Sequence, residues 1–231
     1  MNVLIVGGTG ALGSALVRFY REAGHQVFAT WHHSNEDLDE GVQWHPVDVR
    51  SADSVAELCE RLPAKLHIVV NCVGVLHGNG FQPEKTIRGI DADQVVETFK
   101  INTLGTMLLA QSVAKRLKHE EQAKFVAISA RVGSIEDNRA GGWYSYRCTK
   151  AALNMVVKSL SIEWRLSNPR CSVAVLHPGT VQSKLSEPFT SRSKNIFTPE
   201  ESATSLARII ESLNPGDTGK FWAWDGSEIP W

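Results

Sequence analysis

The 231-residue chain has little that would commit it to a membrane, a metal or a nucleic acid. Its four cysteines, Cys59, Cys72, Cys148 and Cys171, form no CxxC and no paired spacing. They read as free thiols in a reducing compartment, not as a disulfide framework. Among eight histidines only His32 and His33 are adjacent, and no HxxxH or His/Cys cluster suggests a metal site. Neither sign of charge dominates: 24 Lys and Arg stand against 25 Asp and Glu, a net charge of −1. That balance leaves no basic footprint for nucleic acid and no acidic tail. No apolar stretch is long enough to cross a bilayer, and the N-terminus lacks the basic segment and cleavage site of a secretory signal. A cytoplasmic protein without membrane or nucleic-acid partners is expected. No repeat, low-complexity tract or linker divides residues 1–231, so one domain is expected as well.

Strand-like and helix-like patterns alternate from end to end. Strands are predicted over 2–6, 26–31, 42–47, 66–71, 124–129, 171–176 and 221–224. The run Leu66-His67-Ile68-Val69-Val70-Asn71 has the continuous apolar character of a parallel strand covered on both faces. Helices are predicted after the first glycine turn, over 51–62, from a capping box at Asp91 through Lys118, over 146–166, and from Thr198-Pro199-Glu200-Glu201 to Leu213. About seven strands and six helices in alternation imply an α/β fold of the Rossmann type, a doubly wound parallel sheet with helices on both faces. Two long connections, 74–90 and 182–197, should emerge at the carboxyl edge of that sheet and wall a substrate cleft.

The first strand runs directly into Gly7-Gly8-Thr9-Gly10-Ala11-Leu12-Gly13. A strand, a glycine turn and a helix suit a dinucleotide pyrophosphate: the glycines clear space for the phosphates, and the helix N-terminus offers free N–H groups. Leu12, Leu16, Phe19 and Ala23 recur at helical spacing before Gly24, and a second strand completes the unit within about thirty residues. Only one of the three tyrosines, Tyr146, has a lysine four residues on, Lys150, which places both side chains on one helix face. A nearby ammonium favours the phenolate, as would a positively charged nicotinamide ring, and together they move a phenol toward acid–base work at neutral pH.

Gly7 to Gly13, Asp48-Val49, Asn71-Cys72-Val73-Gly74, Asn102, the Tyr146/Lys150 pair and Pro178-Gly179, in that order, resemble the short-chain dehydrogenase/reductase family over essentially the whole chain. Gly133-Ser134-Ile135, the 141–147 segment, His177-Pro178-Gly179-Thr180 and the 224–231 ending are similar to its C-factor-like, carbonyl-reductase-like branch. The resemblance implies an NAD(P)-dependent oxidoreductase that moves hydride between nicotinamide and a small carbonyl or alcohol. Tyr146 would be the general acid, assisted by Lys150, which also meets the nicotinamide ribose. Asn102 would hold a relay water. Gly7, Gly10, Ala11, Leu12 and Gly13 would cradle the pyrophosphate, and Asp48 with Val49 would meet the adenine. Asn71 and Gly74 would end the fourth strand against the cofactor, with Pro178, Gly179, Thr180, Val181 and Ser183 beside the carboxamide and pyrophosphate. A homodimer or homotetramer through the two long helices is implied too.

Three departures bear on activity. The glycine spacing is that of the extended branch, whereas the tyrosine helix is that of the smaller one, and the usual Asn-Asn-Ala-Gly is Asn71-Cys72-Val73-Gly74. The usual substrate-orienting serine is Ala130, leaving Ser129, on the neighbouring pleat, and Ser134, in the following loop, as the nearby hydroxyls. No acid ends the second strand; His32, His33 and Ser34 stand there, with Glu36 and Asp37 beyond. That favours NADP over NAD, since no carboxylate would repel a 2′-phosphate. Trp143 and Tyr144 either wall an apolar pocket or pack under the loop. The alternative to an enzyme is a regulatory protein that keeps the dinucleotide as a ligand with little turnover.

Overall fold

The computed structural model describes residues 1–33, 38–78, 80–192 and 195–231. Seven parallel strands form the central sheet: β1 Asn2–Val6, β2 Gln26–Trp31, β3 Gln43–Pro46, β4 Ile68–Asn71, β5 Ala123–Ile128, β6 Cys171–His177 and, as the last strand in the chain, β9 Lys220–Ala223. Their order across the sheet is β3-β2-β1-β4-β5-β6-β9. The chain reverses direction across the sheet between β1 and β4, so the loops leaving β1 and β4 part there and open a crevice at the carboxyl ends. Val3, Leu4, Ile5 and Val6 are fully buried, because β1 lies at the centre of a sheet covered on both faces.

Six α-helices, counted among the described residues, cover the sheet: α1 Ala11–Glu22, α2 Ala52–Glu60, α3 Ala92–Phe99, α4 Gly105–Val113, α5 Tyr144–Ser167 and α6 Pro199–Ser212. Alternate residues of each strand feed two separate cores. Leu4 and Val6 join Leu58, Leu109, Leu153 and Trp164 of α2, α4 and α5 on one face. Val3 and Ile5 join Leu16, Tyr20, Leu206 and Ile210 of α1 and α6 on the other. The predicted doubly wound sheet is therefore present. Ser51 caps α2 by accepting from the Ser54 N–H, and Thr198 with Glu201 closes a complete capping box on α6.

Two sequence expectations change. The helix foreseen from Asp91 through Lys118 is interrupted: α3 passes into a π-helical turn, Lys100–Leu104, before α4 begins. The wider turn absorbs a register shift and turns Asn102 inward, a common use of π-bulges near functional sites. Apolar periodicity carries no signal for such a one-residue slip. A small second sheet, β7 Thr180–Val181 paired with β8 Ile196–Phe197, was also not foreseen; it pins both ends of the 182–195 excursion.

Candidate active site

The carboxyl ends of β1, β4, β5 and β6 surround a cleft of about 590 Å³. Its floor begins with the glycine turn. Gly7 has φ +83°, and a Cβ on Gly13 would lie 2.1 Å from the Gly7 carbonyl oxygen, so α1 approaches the turn as only glycine allows. Helix α1 starts at Gly10 with no side-chain cap and no acid in its first turn. Gly10 and the first-turn residues Ala11, Leu12 and Gly13, whose N–H groups precede the first intrahelical bonds, all line the cleft. An uncapped helix start beside a side-chain-free turn fits a pyrophosphate.

The opposite wall is α5. Tyr146 and Lys150 both line the cleft and are 8% and 3% exposed. The Lys150 ammonium donates to the Ile128 carbonyl at 3.0 Å and lies 5.9 Å from the centre of the Tyr146 ring. A Cβ on Gly74 would come within 3.2 Å of Lys150 Nζ and 3.5 Å of Asn102 Oδ1, so Gly74, Lys150 and Asn102 meet at one point. Burial dominates the charges here. It pushes the Tyr146 phenol up from its ordinary value and brings the Lys150 ammonium down to about 8. The sequence expectation is a phenol lowered by Lys150 together with a nicotinamide cation; of the groups in the fold itself, desolvation outweighs the lysine.

Asn102 does not face the cleft. Its Oδ1 accepts from the Val75 N–H at 2.8 Å, and its Nδ2 donates to the Val75 carbonyl at 2.9 Å and to Thr149 Oγ1 at 3.1 Å. It ties β4's exit loop to α5 just behind Lys150. Asn71 also turns inward: Nδ2 donates to Thr106 Oγ1 and Oδ1 accepts from the Val73 N–H. Its side chain shapes the turn, while Cys72, Val73 and Gly74 supply the wall. Pro178, Gly179, Thr180, Val181 and Ser183 line the cleft.

Both candidate replacements for the missing serine spend their hydroxyls elsewhere, Ser129 on the other face as its place in the pleat predicts. Ser129 and Ala130 both line the cleft. The Ser129 hydroxyl donates instead to Asn154 Oδ1 at 2.8 Å, on the α5 side of the sheet. Ser134, 1% exposed, donates to the Trp231 carbonyl at 3.3 Å and accepts from the Asp137 N–H at 3.1 Å. The pleat fixes the first orientation and the turn after Gly133 fixes the second.

His32, His33, Asp48 and Val49 gather away from this wall, where β2 and β3 end side by side. His32 Nδ1 is 2.9 Å from His33 Nε2, and His32 Nε2 is 3.6 Å from Asp48. Arg50, which sequence reasoning missed, grips Asp48 through Nε at 2.9 Å and Nη2 at 2.8 Å and reaches Glu97 at 2.5 Å. Those hydrogen bonds hold the Asp48 carboxyl down to about 2. The spacing Asp48-Val49-Arg50 was the available signal, since residues two apart beyond a strand end can pair. Val49 packs on Gly105, where a Cβ would meet it at 2.9 Å. Ser34, Glu36 and Asp37 lie outside the described residues.

The cleft's outer wall was only half legible. Leu76, Val132, Trp143, Leu185 and Phe189 give it an apolar face. Trp143 meets Phe189 edge-on at 4.9 Å and Tyr146 at 6.3 Å, so it walls the pocket. His77, from the 74–90 connection, reaches across to the Lys184 and Leu185 carbonyls at 3.1 Å. The two predicted loops thus meet over the cleft. Among the described residues no group of His, Cys, Asp and Glu could hold a metal, and no helix is long and apolar enough to cross a membrane.

A family model described as short chain dehydrogenase matches residues 1–194. A 1-hydroxy-2-glutathionyl-2-methyl-3-butene dehydrogenase from Rhodococcus sp. (strain AD45) is 36% identical over 232 residues, covering all of this chain and 99% of that protein. The C-signal protein of Myxococcus xanthus is 34% identical over 143 residues, 62% of this chain and 81% of that one. Among solved structures, an NADPH-bound carbonyl reductase from chicken fatty liver is 25% identical, with a TM-score of 0.85, covering all of this chain and 94% of that one. The carbonyl reductase Sniffer of D. melanogaster has the same fold, with a TM-score of 0.86 at 23% identity over the whole chain and 99% of its own.

Proposed function

The chain belongs to the short-chain dehydrogenase family, and from that premise we propose a specific division of labour in a nicotinamide-dependent oxidoreductase. The observation that carries it is one cleft with two faces: the uncapped start of α1 on one side, and Tyr146 with Lys150 on the other. Gly10 to Gly13 bind the pyrophosphate, Lys150 and Gly74 meet the nicotinamide ribose, and Thr180 and Val181 meet the carboxamide. When bound, the nicotinamide supplies or accepts the hydride. Tyr146 donates its phenolic proton to the carbonyl oxygen during reduction and takes it back during oxidation. Lys150, held by the Ile128 carbonyl, stabilises the phenolate that each proton transfer leaves. Tyr146 and Lys150 would sit where an oxidised nicotinamide ring could add a further positive charge beside the phenolate. Asn102 braces Thr149, the neighbour of Lys150, and the exit of β4.

The substrate is a small carbonyl or alcohol with an apolar substituent set against Leu76, Trp143 and Phe189. NADP is favoured over NAD, supported by the histidine pair beyond β2 and by the NADPH-bound relative. Exposed Met107, Met155, Ile162 and Leu166 on α4 and α5 support a homodimer through these helices. The free thiols Cys59, Cys72, Cys148 and Cys171 support a reducing, cytoplasmic setting.

The test is NADPH and NADH oxidation against a panel of aldehydes and ketones, with the Tyr146→Phe variant beside the wild type. The variant should bind cofactor normally and lose about 10²- to 10⁴-fold in turnover; undiminished turnover would remove Tyr146 as the acid. Ala130 and the two diverted serines favour a second reading, a dinucleotide-binding regulator with little turnover. Tight NADPH binding with no oxidation across the panel would select it.

A further inference from the structure

The helix that carries Tyr146 begins without a cap of its own. Gly141, Gly142 and Trp143, the three residues before α5, have φ of +62°, +64° and +52°. Two glycines adopt this left-handed conformation freely, but a tryptophan does not, and outside glycine such residues persist only where their surroundings hold them. Trp143 occupies the cap position and offers no side-chain acceptor, and the first turn of α5 contains no acid.

The missing functions come from Glu84, 61 residues earlier in the 74–90 connection. Its side chain is buried at 5% exposure. One carboxylate oxygen accepts from the Ser145 N–H at 3.1 Å, and the other accepts from the Ser145 hydroxyl. Its backbone carbonyl accepts from the Trp143 N–H at 2.5 Å. From the other side, Arg147 donates Nε to the Gly142 carbonyl at 3.0 Å and Nη1 to the Val132 carbonyl at 3.2 Å. The Glu84 carboxylate therefore supplies the helix cap and an anion at the positive end of the helix, while the backbone carbonyl of the same residue restrains the left-handed tryptophan. Tyr146 is the next residue after Ser145.

We propose that Glu84 is a positioning residue for Tyr146 and for the aromatic wall made by Trp143. This rests on the assignment of Tyr146 as the proton donor. Without the Glu84 carboxylate, the Ser145 N–H and hydroxyl lose their acceptor, the first turn of α5 frays, and the phenol loses its place over the cleft. A misplacement of about 1 Å costs on the order of a hundredfold in rate. The glycine turn that binds cofactor lies on α1 and is untouched.

The test compares wild type, Glu84→Ala, Glu84→Gln and Tyr146→Phe. Three readouts are taken: amide hydrogen exchange along α5, the NADPH dissociation constant by fluorescence, and NADPH oxidation with 4-nitrobenzaldehyde as the probe carbonyl. Glu84→Ala should lose protection at amides 144–147 while 157–164 keep theirs. It should lose about 10- to 100-fold in kcat with NADPH affinity within threefold. Glu84→Gln keeps an acceptor for the Ser145 N–H and should restore the protection and most of the rate. Unchanged protection at 144–147, or loss spread evenly along α5 with a matching loss of NADPH affinity, overturns the proposal. If Glu84→Ala does not fold, Ser145→Ala, which removes only the hydroxyl donor, should show the same local pattern at smaller size, and its absence overturns the proposal equally. Wild-type turnover in Tyr146→Phe would strike the proton-donor assignment; the exchange pattern separately decides whether Glu84 holds the helix start.

Discussion

At the Tyr146 end of the sheet's carboxyl edge Tyr146, Lys150 and Asn102 are 8%, 3% and 1% exposed, whereas the side chains of His32, Asp48 and Arg50 at the far end, beyond β2 and β3, are 39%, 32% and 36% exposed. The two ends obey different electrostatics. In the buried end, desolvation sets each protonation state and moves both members of the pair toward neutrality. In the exposed end, the partners set each other: Arg50 holds Asp48 down, Asp48 holds Arg50 up, and water screens the remainder. Substitutions at the first end should change rates by large factors that salt barely touches. Substitutions at the second should change affinities by small factors that salt abolishes.

Lys150→Met tests the buried end most severely. It removes the only ammonium placed by the described residues to support a Tyr146 phenolate, and about 10²- to 10⁴-fold of kcat/KM should go with it. The same variant reads the burial cost directly. Lys150 titrates at about 8 in the fold, below the 10.5 of a free lysine. Between those values the unfolded chain holds more protons than the folded one, so the ligand-free fold gains stability as pH rises from about 8 toward 10.5. Denaturant unfolding across that window should show this slope in wild type and a flatter one in Lys150→Met. Equal slopes would mean that the Lys150 ammonium is not lowered in the fold.

Gly13→Ala probes the joint between the two ends. Its Cβ would stand 2.1 Å from a backbone oxygen that has no room to move, because Gly7 is itself pinned by bonds to Thr30 and Gly10. Either the fold is lost or α1 is displaced and NADPH affinity drops by about a hundredfold, both visible by fluorescence titration and circular dichroism. An alanine variant that binds normally would show that the cradle is not built on this approach.

That joint was the most legible part of the chain, because glycines at fixed spacing report a backbone demand directly. The sheet was legible for a similar reason: strands such as Ile68–Asn71 are buried on both faces and read as unbroken apolar runs. Tyr146 and Lys150 were legible through helical spacing. What stayed hidden depends on contacts between distant segments. Nothing in Pro83-Glu84-Lys85 announces that its acid will cap a helix starting at Tyr144, and nothing local shows that Ser134 will spend its hydroxyl on the Trp231 carbonyl. The π turn that points Asn102 at Val75 is a single-residue slip, below what periodicity resolves.

Ala130→Ser asks whether the buried end is complete. Ala130 lines the cleft while the neighbouring hydroxyls of Ser129 and Ser134 are engaged elsewhere. A serine there would add one donor toward the carbonyl oxygen. Deleting such donors in other enzymes costs about 10²–10³, and a donor added to an unprepared site should return less, about tenfold in kcat/KM. The gain should be larger for acetophenone than for 4-nitrobenzaldehyde, whose carbonyl needs less polarisation. A serine variant no faster on either would mean that Tyr146 alone suffices.

The smallest effect is expected at the far end, and it separates the nucleotides. Burial, and then His33, keep the His32 imidazole below its usual value, so it is largely neutral at pH 7 in the ligand-free protein. A 2′-phosphate beside the pair would favour the protonated ring, so NADPH binding should take up a proton and tighten as pH falls from 7.5 to 5.5. Asp48, at about 2, stays ionised throughout and contributes no slope. NADH, without the phosphate, should bind with a flat profile. Arg50→Ala would release the Asp48 carboxylate from its partner and turn it against the phosphate, weakening NADPH a few-fold and NADH less. Half-molar salt should erase that difference, since the groups are exposed. Fluorescence titrations with both nucleotides at three pH values and two salt concentrations decide the matter. Parallel pH slopes for NADPH and NADH would take the histidine pair out of phosphate recognition and leave this end to adenine alone.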